Sequence, residues 1–170
     1  MKIKEALTYD DVLLIPQYSD IKSRKEIVIA SELDNNIDLH LPIISAPMDT
    51  VTETKMAITM HRAGGLGIVH RYNSIKEQAS LIHDAHVEGM CYVGAAIGVT
   101  GDFEERACAL HDAGADVLCV DVAHGHHILT KTALERLRNI FDDSIHIMAG
   151  NIATLDGFND LSDWGADSIR

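Results

Sequence analysis

Three cysteines in 170 residues, Cys91, Cys108 and Cys119, are odd in number and show no CxxC spacing. Neither a disulfide framework nor a thiolate zinc site is therefore signalled, and a reducing cytoplasm fits. Basic residues are also scarce: 14 Lys and Arg stand against 26 Asp and Glu, a formal net charge of -12. Nucleic-acid binding rests mainly on Lys and Arg releasing counterions from phosphates, so this charge argues against nucleic acid as a partner. A single anionic group held by a helix amino terminus is not excluded. No apolar run approaches the ~18 residues of a membrane-spanning helix. Met1-Lys2-Ile3-Lys4-Glu5 also lacks the apolar core of a signal peptide. Catalytic signatures are missing too. No GxGxxG or P-loop follows the first strand, which weakens a dinucleotide-binding sheet. Without a GxSxG elbow or a Cys/His pair of known spacing, nucleophilic hydrolysis has little support.

What is present is organised around Leu41-Pro42-Ile43-Ile44-Ser45-Ala46-Pro47-Met48-Asp49-Thr50-Val51-Thr52-Glu53. It reads as a buried strand covered on both faces, a turn of small residues, and a helix from Val51 to Arg62 opened by a Thr50/Glu53 capping box. That helix sets Met56, Ala57, Met60 and Ala63 on one stripe. The plan repeats. Ser74 with Glu77, Asp102 with Glu105, and Thr154 open further helices, and strand centres near Ile44, Ile68, Ala95, Val120, Met148 and Ile169 recur at roughly one per 25 residues. The joints repeat as well: Ala63-Gly64-Gly65, Ala113-Gly114-Ala115-Asp116 and Trp164-Gly165-Ala166-Asp167 each precede an apolar strand. Ahead of the array lies an irregular lead-in over residues 1–40, in which Ile27-Val28-Ile29-Ala30 reads as a cap strand. At 46% hydrophobic, the chain has the material for one domain. A parallel βα array can close as a (β/α)8 barrel or stay open as a doubly wound sheet. A barrel requires eight strands and typically ~250 residues, whereas only six strands are legible here.

In a barrel, chemistry gathers at the carboxyl ends of the strands. Asp121 stands out there, because it ends the otherwise apolar row Val117, Cys119; a ligand hydroxyl, a metal, a helix cap or a salt bridge would satisfy it. His124, His126 and His127 follow with a spacing compatible with zinc or iron, but without an accompanying carboxylate cluster. Gly125 between them reads as a tight turn. His61, His83 and His111 fall on helices as surface residues.

Five segments in order, Leu7–Pro16, Ser45–Glu53, Gly65–Arg71, Asp121–His126 and Ala149–Thr154, resemble the IMP dehydrogenase/GMP reductase family. The resemblance implies a (β/α)8 TIM-barrel of α/β class, here an incomplete barrel of about five βα units plus the start of a sixth strand. It also implies a homotetramer when complete, a purine nucleotide (IMP or GMP) as substrate, NAD or NADP as cofactor, and a potassium ion in the complete site. By position, Ala46, Met48, Asn151 and Arg170 would line the nucleotide pocket. Asp121, Val122 and Ala123 would hold the cofactor, with Ser23 and Arg24 contacting it from a neighbouring subunit. On this view the histidines are a family loop signature and bind no metal.

The family's catalytic cysteine sits on a loop expected just after Arg170, and none of the three cysteines replaces it. The expectation is therefore a partial catalytic domain over 1–170, without catalytic residues, without the regulatory insertion (Tyr72 to Tyr92 leaves no room), and inactive in isolation. IMP dehydrogenase is favoured by Ser45–Met48 and Ala123–His126, GMP reductase by Lys22-Ser23-Arg24 and the missing insertion. Two other readings stay open: an inactive half-barrel, or one half of a split enzyme completed by a second polypeptide. A metal-dependent hydrolase is a further possibility.

Overall fold

The computed structural model describes residues 6–34, 37–89 and 92–170. Met1–Glu5, where a signal peptide was sought, and Cys91 lie outside the described residues. In chain order come β1 (Ser31–Asp34), β2 (Ile37–Leu39), β3 (Ile44–Ser45), α1 (Thr54–Arg62), β4 (Leu66–Val69), α2 (Ile75–Gly89), β5 (Val93–Ile97), α3 (Phe103–Asp112), β6 (Val117–Asp121), α4 (Ile128–Phe141), β7 (His146–Gly150), α5 (Leu155–Asp163) and β8 (Ser168–Ile169). Among the described residues, no helix is long and apolar enough to cross a membrane.

Strands β3 to β8 form one parallel sheet whose spatial order is its sequence order. A doubly wound sheet reverses at a switch point, and this one never does. The winding is that of a (β/α) barrel, of which six strands are present. Alternation along the strands separates two cores. One face carries Val69, Ala95, Leu118, Val120 and Ile147 against helix residues such as Ile82, Leu110, Leu134 and Leu161. The other carries Leu66, Ile68, Val117, Cys119 and Met148, and the antiparallel hairpin β1–β2 plugs it with Ile37 and Leu39.

The repeated joints have a physical reason. Gly64, Gly114 and Gly165 hold φ values of +89°, +98° and +105°, the left-handed conformation that ends a helix and that only glycine adopts freely. The aspartates that follow two of them then pin strands. Asp116 donates its amide to the Val93 carbonyl at 2.9 Å and accepts the Val93 amide on its carboxylate at 2.8 Å. Asp167 does the same to Ile147, at 2.8 and 2.7 Å.

Several local expectations are corrected. The Thr50/Glu53 box does not form: α1 starts at Thr54, Glu53 caps it without a side-chain bond, and its carboxylate turns to His70 at 3.4 Å. Of the stripe on α1, only Ala57 is buried. Ile43 and Ile44 are 52% and 36% exposed rather than covered on both faces, because β3 is an edge strand in this sheet. Ile27–Ala30 is not a strand; pairing begins at Ser31, where Leu39 provides the opposite residue. The Asp102 carboxylate, expected to cap α3, pairs with Arg106 instead. The Ser74/Glu77 box and the Thr154 cap form as expected.

Candidate functional site

The carboxyl ends of β6, β7 and β8 are stitched together beyond the regular ladder. Val122 donates its amide to Gly150 O at 3.0 Å, and Asn151 donates to Val122 O at 2.7 Å. Gly125 donates to Asn151 O at 2.7 Å, and Ile152 to Arg170 O at 3.0 Å. Gly150 is required by this closeness, since a Cβ there would strike the backbone and side chain of Arg170. These bonds bring Asp121, Val122, Asn151 and Arg170 into one patch. Ala123 lies exposed beside them.

Within the patch, Arg170 Nη1 stands 3.6 Å from Asp121 Oδ1 and donates weakly to the Cys119 sulfur at 3.8 Å. Arg71, at the end of β4, reaches across to donate to the Asp121 carbonyl at 3.4 Å. Its Nε–H is buried without a partner among the described residues. The Asp121 carboxylate, on a side chain only 18% exposed, takes no hydrogen bond among the described residues; its neighbour is the guanidinium beyond bonding distance. A largely enclosed carboxylate with unused lone pairs is suited to a ligand's hydroxyl groups. Burial pushes the Cys119 thiol up to about 11, against the opposing pull of Arg170, so the thiol is no nucleophile at neutral pH. Cys108 sits on α3, packed against the helix-side core.

Ala46 and Met48 lie at the end of β3, on the other margin of the same strand-end face. Ala46 O accepts from Met48 N at 2.8 Å and from the buried Thr52 hydroxyl at 2.7 Å. Met48 is 51% exposed. Ser23 and Arg24 are not brought to this face by any bond: Ser23 Oγ accepts from Lys25 N within its own 3-10 turn, and Arg24 is exposed in that turn. Two of the three loop histidines are bonded elsewhere, and His124 is exposed. His126 Nε2 meets Asp160 at 2.7 Å, and His127 caps α4 by accepting from Leu129 N. Among the described residues, no three His, Cys, Asp or Glu side chains converge as a metal site.

Sequence reasoning passed over the roles of Arg71 and Thr52, while the loop that begins at His70 was among the strand-end loops it singled out. Arg71 lay inside a quoted segment, but its direction across the face depends on the loop after β4, which no spacing reveals. Thr52 read as part of a helix, whereas its hydroxyl braces the β3 turn through Ala46 O and Ser45 Oγ.

A family model described as the IMP dehydrogenase / GMP reductase domain matches residues 6–170. The chain belongs to this family. It is 30% identical to the inosine-5'-monophosphate dehydrogenase of Nitrosopumilus maritimus, in an alignment covering 100% of this chain and 61% of that protein. It is 29% identical to the GMP reductase of Leishmania major, covering 99% and 61% respectively. A crystal structure of inosine 5' monophosphate dehydrogenase from Legionella pneumophila superposes with a TM-score of 0.84 at 42% identity, over 97% of this chain and 50% of that one. The chain thus spans half to about three fifths of the length of these relatives. The first alignment runs over 296 positions against 170 residues, so that relative carries residues with no counterpart here. Family membership, with the superposition, makes the six strands part of that family's α/β barrel.

Proposed function

We propose that the strand-end face holds a purine nucleotide beside a nicotinamide cofactor, and that the chain supplies this part of an IMP dehydrogenase site, oxidising IMP to XMP. The observation that carries the reading is the under-bonded Asp121 carboxylate, 3.6 Å from the Arg170 guanidinium, on a residue whose main-chain carbonyl accepts from Arg71. Asp121 accepts from the cofactor's ribose hydroxyls, with Val122 and Ala123 against the nicotinamide end. Arg170 and Asn151 face the nucleotide across from Ala46 and Met48. When bound, the nicotinamide exchanges a hydride with the purine. The cofactor is NAD in the dehydrogenase direction. GMP reductase, reducing GMP with NADPH, is the second reading, favoured by relatives of that name. No residue here is assigned to potassium. Homotetrameric assembly, a cytoplasmic setting and Ser23 and Arg24 reaching a neighbour's cofactor belong to the same proposal. So does the placement of the relatives' surplus residues after the second barrel strand, where residues 70–74 make a short connection here.

The covalent step of this chemistry needs a thiolate at the purine. Among the described residues, Cys119 is buried with a raised pKa and Cys108 lies on a helix, so neither supplies that thiolate, and the 170-residue chain alone is expected to bind nucleotide and turn none over. Calorimetric titration with IMP, GMP, NAD and NADPH, followed by a turnover assay of each pair, tests this. Saturable binding of IMP and NAD with no turnover is the expected result. Silence toward all four ligands would remove the nucleotide reading, and turnover by this chain would remove the cysteine argument.

A further inference from the structure

Behind the strand-end face runs a buried polar chain that no contact with ligand explains. Gln78, fully buried in the first turn of α2, donates both amide hydrogens to strand-end carbonyls: Ala96 O on β5 at 2.8 Å and Val69 O on β4 at 3.4 Å. Its oxygen accepts from Arg106 Nη1 of α3 at 2.8 Å. Arg106, 8% exposed, also donates from Nη1 to the Asn73 carbonyl at 3.2 Å. It forks onto Asp102 through Nη2 at 2.9 Å and Nε at 3.5 Å. One guanidinium therefore ties together α3, α2 and the loop over residues 70–74 that carries His70 and Arg71. An ion pair whose carboxylate is half exposed, as Asp102 is at 49%, adds little stability. What such a network fixes is direction, because each of its donors and acceptors has one place to point.

We propose that Gln78 and Arg106 are positioning residues for the strand-end site. Gln78 sets the spacing of the β4 and β5 ends, and Arg106 holds the loop so that the Arg71 guanidinium lies across the face to the Asp121 carbonyl. This rests on the nucleotide reading given above. It supplies what that reading lacks: a reason for Arg71 to lie across the face with its Nε–H buried.

The test compares the parent chain with Gln78→Leu, which removes donors and acceptor, and Gln78→Glu, which keeps the acceptor for Arg106 and loses the donors to the carbonyls. Arg106→Lys keeps the charge and loses the fork. Two quantities are read well below each variant's Tm: the affinity for IMP and NAD, and water exchange of the Arg71 Nε–H by NMR, assigned through its loss in Arg71→Lys. The expected result is a folded spectrum, faster Nε–H exchange in all three variants, and affinity weakened roughly five- to tenfold, the size of coupling carried through such networks. Unchanged exchange and affinity in folded Gln78→Leu would overturn the proposal. Should Gln78→Leu fail to fold, Gln78→Glu and Arg106→Lys decide by the same readings. If the parent binds neither ligand, the nucleotide reading has failed, and Nε–H exchange alone still decides whether Gln78 and Arg106 position Arg71.

Discussion

At the amino ends of the strands, buried polar groups are paired with one another; at the carboxyl ends, Asp121 and Arg71 keep hydrogen-bonding capacity unused. At the amino end, His146 bridges Asp34 of the hairpin at 2.6 Å and Ser168 of β8 at 2.8 Å. Arg138 spends its guanidinium on Gly165 O, Asp142 O, Ile145 O and Asp167. An open cleft lies here too, near Asp116, His86 and His111, yet the Arg138 and His146 side chains in its wall are already bonded to protein. Among the described residues, no hairpin covers the carboxyl end. It presents a loop arginine, a carboxylate and a terminal arginine around exposed backbone. The sheet is the same at both ends, so the difference lies in what the loops contribute. Closed polar accounting holds the fold together, and open accounting leaves room for a ligand.

The largest effect expected from breaking this division is at the plug. Leu39, 6% exposed, fills the inner face against the strands. Leu39→Ala should lower unfolding free energy by about 2–4 kcal/mol, read from the urea midpoint, while IMP affinity measured far below the transition stays at the parent value. A large loss of affinity in the folded variant would show that the two ends are coupled through the inner core.

The converse change is at Asp121. Its ion pair with Arg170 is long and partly solvated, at 3.6 Å with side chains 18% and 33% exposed. Asp121→Ala should therefore move stability by less than about 1 kcal/mol and abolish detectable NAD binding. If stability collapses instead, the carboxylate is a structural member and the strand-end face is less separate from the fold than the hydrogen bonding indicates.

The same division governs what could be read from the sequence. Strand centres, the helix-ending glycines and two of the helix caps were legible, because a period of one βα unit and a left-handed glycine are local matters. Asp121 was legible as a carboxylate closing an apolar row. Arg71, Gln78 and Arg106 were not, since their roles depend on reaching other elements: Arg106 meets Gln78 only once α2 and α3 lie side by side. The Thr50/Glu53 box failed for the same reason. Its pattern was correct locally, but His70, far along the chain, claimed the Glu53 carboxylate. Ile43 and Ile44 misled because burial on both faces requires a neighbour on each side, which an edge strand lacks.

A smaller effect would sharpen the comparison from within the amino end, where the two strand-pinning aspartates differ. Asp167 has Arg138 beside it, whereas the groups that face Asp116 are the imidazoles of His86 and His61. Burial raises the Asp116 pKa above its ordinary 3.8, opposed by the Val93 amide and by the imidazoles of His86 and His61 when charged. A raised native pKa means that the folded chain holds the proton more tightly than the unfolded one. The contribution of Asp116 is then fully present below 3.8 and is lost as pH climbs through the raised native value. Replacing the carboxyl by a carboxamide removes the titration, while Oδ1 still accepts from Val93 N. Asp116→Asn should accordingly flatten the fall in stability between pH 4 and neutrality and leave the fold intact, as followed by urea midpoints at a series of pH values. An unchanged slope would mean that the strand pin carries no cost of burial, and that the two ends of the strands differ less in their electrostatics than in their open hydrogen bonds.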